Sequence, residues 1–219
     1  MLSVTDIQAR HAPAVLAGEV RLAARWGQPD LGYVLLFRPD AAASSALAAV
    51  QDQVQALELS LLRQPLAQLH ASIAWLLPVA RDFSEPKQEI WSRHAEDWLK
   101  VAGALTDATP PMALRYRRVV ATDAAIVAVA DEPGPMAGFR RSLIDALGLE
   151  WPIAYPELGV VHSSLFRYAE PPASPAVLLQ RLESMPVSVP VVVSEMLMVR
   201  EYTYPTLAYE ILRRLPLRG

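Results

Sequence analysis

Two strand-like segments set the tightest limit on what this chain can fold into. QLHASIAWLL (68–77) and ELGVVHSSLFRY (157–168) are apolar runs, and each places a histidine two residues ahead of a serine: His70 with Ser72, His162 with Ser164. Side chains of an extended chain alternate between faces, so each imidazole shares a face with its hydroxyl. In the first run the same alternation predicts Leu69, Ala71, Ile73, Trp75 and Leu77 on one face, and His70, Ser72, Ala74 and Leu76 on the other. In the second, Arg167 lies an odd number of positions from His162, which predicts that it turns away from the imidazole. A buried polar side chain must be satisfied or have a task, and here the pattern occurs twice.

The surroundings of the two runs repeat as well. The first half reads as a strand at Gly32–Phe37, an Ala-rich helix at Ala41–Leu59 and then the His70 strand. A helix over Ser84–Val101 follows, with Ser84 as N-cap and Pro86 in the first turn, and then a strand at Met112–Val120. The second half reads as a strand at Ala124–Ala130, a helix from Met136 to Leu147 ending near Gly148, and the His162 strand. A helix at Ala176–Glu183, one long strand at Val187–Val199 and an edge strand at Leu207–Leu215 complete it. Strand, helix, strand, helix, strand thus appears twice, with a histidine strand third in each half. The expectation is an α+β fold of two pseudo-symmetric lobes, each an antiparallel sheet covered by helices, with a central cleft. Residues 1–28, helical over 3–26 and broken at WGQPD, read as a peripheral N-terminal extension. Residues 29–219 form the bilobal domain, with lobes at roughly 29–120 and 121–219.

Composition narrows the function. Of 219 residues 53% are hydrophobic and 20% charged, which suits a filled interior. The net charge of −3 supplies no broad basic field for long nucleic acid, though it leaves room for one small anion in a local pocket. There is no cysteine, hence no disulfide framework and no Cys-based zinc site. The N-terminus lacks the pattern of a secretory signal, and Pro190–Val199, interrupted by Glu195, is too short to span a bilayer. A cytoplasmic protein without a membrane partner is expected; the oligomeric state is open.

The paired motifs resemble those of the 2H phosphoesterase superfamily, in the branch of RNA 2′,5′-ligase and cyclic phosphodiesterase proteins. LHASIAWL is similar to the first motif of that family, with His70 and Ser72 at its histidine and hydroxyl positions. VHSSLFR is similar to the second, with His162 and Ser164 in those positions and Arg167 where an arginine often follows. Serine replaces the common threonine in both, Trp75 replaces the frequent phenylalanine, and no proline directly precedes His162. The resemblance implies a metal-independent phosphodiesterase for 2′,3′-cyclic phosphate or 2′,5′-linked nucleotide and RNA ends, in the setting of RNA processing, with no cofactor and no metal site.

The chemistry suits the residues. Opening a cyclic phosphodiester takes one proton from water and gives one to the leaving oxygen, and an imidazole titrating near 6.5 does either. His70 and His162 are the candidate catalytic pair. Ser72 and Ser164 are the candidate phosphate-binding groups, donating to non-bridging oxygens as charge develops. Spacing does not say which histidine is acid and which is base. The alternative from another class is a non-catalytic module of the same shape that binds a nucleotide or RNA end.

Other features read as structural. His11 and His94 are solvated or packing residues, and Arg115–Arg118 (RYRR) is a solvated edge. Tyr33, Phe37, Phe166 and Tyr168 are core aromatics. GPMAG (134–138) enters a helix and is not a phosphate loop.

Overall fold

The computed structural model describes residues 4–131, 134–148 and 160–219. The first part of the chain forms α1 (Val4–Leu16), β1 (Pro29–Phe37), α2 (Ala41–Leu57), β2 (Leu61–Arg63), a 3-10 turn at Leu66–Gln68 and β3 (Ala71–Leu77). Next come α3 (Lys87–Asp107), β4 (Met112–Tyr116), β5 (Arg118–Ala121), β6 (Ile126–Asp131) and α4 (Gly134–Leu147). The C-terminal part contributes β7 (Val160–Tyr168), α5 (Pro175–Ser184), β8 (Val189–Val193), β9 (Glu195–Thr203) and β10 (Ala208–Pro216). The start of the expected second histidine strand, 157–159, lies outside the described residues.

Local chemistry sets the ends. Asp40 caps α2, its carboxylate accepting from the Ala43 N–H at 2.8 Å. The first helix stops at Leu16, well short of residue 26, because Gly18 takes a left-handed φ of 72° that reverses the chain. Ser84 does not cap α3. The helix begins at Lys87 with the Pro86 carbonyl accepting from Glu89 and Ile90, and it continues to Asp107.

Two four-stranded antiparallel sheets dominate, in the orders β10-β9-β1-β3 and β2-β7-β6-β5, and β4 pairs with β8 in a third, small sheet. The expected strands 112–120 and 187–199 are each divided. Met112–Tyr116 pairs with Val189–Val193, while the remainders join different large sheets. The breaks fall at Arg117 and Ser194, single residues between strand-like runs that do not mark a change of sheet in the sequence. The sheets also do not separate near residue 120. β9 and β10 complete the sheet of β1 and β3, while β2 and β5 belong with β6 and β7. A β1–β3 ladder alone would leave β1 with an unpaired edge and only two strands, too few to be stable; β9 satisfies that edge.

Within each sheet the correspondence of the halves survives. β1 and β6 are inner strands with a histidine strand, β3 or β7, on one side and β9 or β5 on the other. One face of each sheet packs against α2, α3, α4 and α5 in the main core, which holds Tyr33, Leu35, Phe37, Ile73, Ile126 and Phe166. The opposite faces carry separate apolar clusters: Val34, Leu36, Leu197 and Val199 on one sheet, Val120, Val127, Val129 and Val160 on the other. Burial on both faces is why these strands read as continuous apolar runs. β3 and β7 lie against each other where the sheets meet.

Candidate functional site: a cleft built by two bulged histidine strands

Each histidine strand carries an extra residue just beyond its serine. In the β1–β3 ladder Leu36 faces Ser72 and Leu35 faces Ala74, so Ile73 is extra. In the β6–β7 ladder Val127 faces Ser164 and Ile126 faces Phe166, so Leu165 is extra. A bulge shifts the alternation by one and re-aims the side chains that follow. Trp75 therefore leaves the face of Ala71 and Ile73 and joins Val34 and Leu36, while Ala74 and Leu76 enter the main core. Arg167 likewise does not turn away from His162: it faces the same cavity. The two motifs are thus His-x-Ser-x-x-Trp and His-x-Ser-x-x-Arg, and the cavity is lined by the sixth residue of both and by the first and third of the second.

The cavity has a volume of about 710 Å³ and is lined by Trp75, His162, Ser164, Arg167 and Tyr204, together with residues of the N-terminal segment. His70 and Ser72 sit on the neighbouring strand end rather than in that lining. His70 directly precedes β3, and its Nδ1 lies 2.8 Å from the Gln68 carbonyl of the 3-10 turn. A carbonyl only accepts, so Nδ1 carries the hydrogen and Nε2 is left to act as base or acid. Ser72 Oγ has no hydrogen-bond partner among the described residues.

Electrostatics couple the two imidazoles. Burial, then the Arg167, Arg140 and His70 charges, push His162 down to about 4. His70 is also lowered, first by burial and further by Arg167 and Arg38, against the pull of the Gln68 carbonyl toward its charged form. Each therefore sits within the field of Arg167, and His162 feels His70 directly. Both rings are therefore neutral at neutral pH.

Arg167 is held from several sides. Its guanidinium donates to Ser164 Oγ and to the Ala124 carbonyl, each at 3.4 Å, and lies 6.0 Å from the centre of the Tyr204 ring. Behind it, Gln51 of α2 is fully buried and its amide donates to the carbonyls of Leu165, the extra residue of the bulge, at 3.0 Å and of Gln64 at 2.8 Å. The Gln64 N–H also donates to Leu165, and its side-chain amide reaches the Pro205 carbonyl at 3.2 Å. Two buried glutamines thus tie the Arg167 bulge to the turn that carries Tyr204. That turn is held from its other end by the buried Glu201, whose carboxyl accepts from the Thr206 N–H and hydroxyl at 2.8 Å each. Burial raises Glu201 to about 7 despite those two bonds.

Sequence reasoning did not single out Trp75, Tyr204, Gln51 or Gln64 as site residues. The one available signal was Gln51, a polar residue on the buried stripe of Leu47, Val50 and Val54. Of the remaining candidates, Tyr33, Phe37, Phe166 and Tyr168 are buried in the core, and His94 stacks on Trp98. RYRR spans two strands, with Arg115 bonded to Ser188. His11 does line the cavity, paired with Asp123 at 3.1 Å.

No protein-family model and no curated protein matches the sequence. Solved structures do. TT0787 of Thermus thermophilus superposes with a TM-score of 0.63 at 18% identity, over 86% of this chain and 98% of that one. E. coli LigT complexed with 3′-AMP gives 0.61 at 13% identity, over 88% and 100%. ATU0111 from Agrobacterium tumefaciens, described as a conserved protein of unknown function, gives 0.61 at 13% identity, over 96% and 98%. Two histidine strands at equivalent places in two related half-sheets, meeting beside one cavity, are set in a fold shared with E. coli LigT.

Proposed function

We propose that this protein is a phosphodiesterase that opens 2′,3′-cyclic phosphates or cleaves 2′,5′-linked nucleotide ends by proton transfer between His70 and His162, without a metal. The observation that carries the proposal is the shared bulge. It turns Trp75 and Arg167, each five places after its histidine, to one cavity that His162 and Ser164 also line, with His70 on the adjoining strand end. LigT was crystallised with 3′-AMP and with phosphate, ligands of the chemical class that such a cavity suits.

In this reading His162 takes a proton from water as the water oxygen attacks phosphorus. The bond to the 2′ or 3′ oxygen breaks on the opposite side, and protonated His70 delivers its Nε2 proton to that oxygen. The Gln68 carbonyl favours this role, since it binds the Nδ1–H and supports the charged ring. Ser72 and Ser164 donate to the two non-bridging oxygens, and Arg167 balances the charge that gathers there. Because Arg167 already donates to Ser164 Oγ, the hydroxyl proton of that serine is left for the phosphate. Trp75 offers its ring to the nucleoside half.

Incubation with 2′,3′-cyclic nucleotides in the presence of a chelator tests the proposal. Ring opening in the wild type that vanishes in His70→Ala and in His162→Ala supports it. Tight binding of nucleotide without turnover would instead identify a binding module of the same fold.

A further inference from the structure

The N-terminal segment does not stand apart from the cleft. α1 lies on β5 and β6, and Ile7 is 4% exposed within the same cluster as Val120, Val127, Val129 and Val160. Val129 is the cross-strand neighbour of His162 and Val127 that of Ser164. The helix therefore roofs the β5–β6 half of the cleft face up to the strand that bears the second motif. Behind it, the strap of residues 19–28 is fastened along the rim. The Arg21 N–H donates to the Asp123 carbonyl at 2.6 Å, Ala23 to Tyr168 at 2.8 Å and Gly27 to Tyr204 at 2.8 Å. Ile7, His11, Arg21 and Leu22 all line the cavity.

The charges of this wall are already neutralised. Asp123 is paired with His11 and with Arg21, each at 3.1 Å, and Arg25 is paired with Asp30 at 2.7 Å. A polynucleotide end needs a groove that continues past the reacting phosphate and cations for the phosphates that follow. On this side the cavity wall is made of apolar Ile7 and Leu22, and Arg21 and Arg25 are held in ion pairs. Arg81, on the facing rim, offers one further cation against Phe83, enough for a single additional anionic group.

We propose that residues 4–28 act as a length selector that restricts the cleft to compact phosphodiesters, in particular a single nucleoside 2′,3′-cyclic phosphate, and excludes polynucleotide ends. This rests on the phosphodiesterase reading above, and it assigns to α1 and its strap a role in specificity that the histidine motifs do not determine.

The test compares kcat/KM of the full chain for adenosine 2′,3′-cyclic phosphate and for a short oligoadenylate ending in the same cyclic phosphate. A preference for the mononucleotide of about tenfold or more is expected, the effect of roughly one lost contact set. Calorimetry with adenosine 3′-monophosphate and a 3′-phosphorylated oligoadenylate reads the same preference without turnover. Two variants then open the wall: Ile7→Ala, and Leu22→Ala at a half-exposed position where folding is not at stake. In either, with the melting curve cooperative, the preference narrows several-fold, mainly through KM for the oligomer. Equal use or equal binding of the two lengths by the wild type overturns the selector, as does a preference that neither variant changes. A binding preference without turnover of either substrate upholds the selector and sinks the catalytic reading instead.

Discussion

β3 and β7 are two versions of one device. Both carry His-x-Ser followed by a bulge, and both send the residue five places after the histidine into the cleft. They differ in what that residue is and in how each strand is supported. β3 is a sheet edge, its histidine is oriented by the carbonyl of a 3-10 turn, and its sixth residue is an indole. β7 is an inner strand, its bulge is braced from behind by Gln51 and Gln64, and its sixth residue is a guanidinium. Geometry has been duplicated while chemistry has diverged. One strand presents a surface suited to a base, the other a charge suited to a phosphate. Under the proposed function, this difference is what would let a symmetric scaffold hold an asymmetric substrate in one orientation.

The histidines give the largest test of this comparison. Alanine at His70 or at His162 lowers kcat by about 10²–10⁴, with the circular dichroism spectrum unchanged. The double variant is scarcely worse than either single one, because the two act as a unit. A single variant that retains wild-type turnover removes its strand from the chemistry.

The sixth residues should separate next. Arg167→Met weakens both inorganic phosphate, measured as a competitive inhibitor, and the nucleotide substrate, each by roughly 10–100-fold, as expected for a lost charge-assisted contact. Trp75→Ala leaves phosphate inhibition alone and raises KM only for nucleotides, by about tenfold, since stacking on a base is worth about 1–3 kcal/mol. If both variants fall equally on phosphate and nucleotide, the division of labour between the strands is wrong.

The brace behind β7 is the third place to press. Gln51→Leu leaves two buried carbonyls short of a donor and costs about 1–3 kcal/mol of stability. It also loosens Arg167, so phosphate inhibition weakens several-fold while kcat changes less. Gln51→Met, which packs similarly but cannot donate, behaves like the leucine variant if the hydrogen bonds are what matters. A drop in melting temperature with unaltered phosphate affinity makes Gln51 a core residue only.

The smallest effect is in the pH dependence of stability. His162 is held near 4 against about 6.5 in an unfolded chain, so between those values the unfolded state binds more protons. Its contribution to stability is complete above about 6.5 and declines as pH falls toward 4, by no more than about 3 kcal/mol. Glu201, raised to about 7, acts in the opposite sense: its contribution is present at low pH and is lost as pH rises through 7. The two oppose each other in the wild type, so the histidine is read from the difference between wild type and His162→Gln across pH 4–7. A flat difference means that the ring is not held neutral by its surroundings.

The parts of this structure that could be read from the chain are those with a local cause. The two His-x-Ser runs, the helix that Asp40 starts and the reversal at Gly148 depend on neighbours within a few residues. What could not be read depended on distant partners. Trp75 and Arg167 were assigned to the wrong faces because an extra residue in a ladder is defined by the opposite strand, and Ile73 and Leu165 look like any other apolar residue. Met112–Val120 and Val187–Val199 read as single strands because apolar residues do not say which sheet will receive them. The N-terminal helix read as peripheral since Ile7 reveals its place only beside Val127 and Val129.

By itself, the sequence determined that two histidine–hydroxyl pairs would stand on apolar strands in repeated surroundings, because a period of two and a pair of motifs are properties of the chain alone. The tertiary structure decided what those pairs face. It set the bulges that turn an indole and a guanidinium inward, exchanged strands between the halves, and laid α1 across half of the cleft. Pairing register, burial and electric field are each defined by residues far apart in the chain, and they exist only once those residues meet.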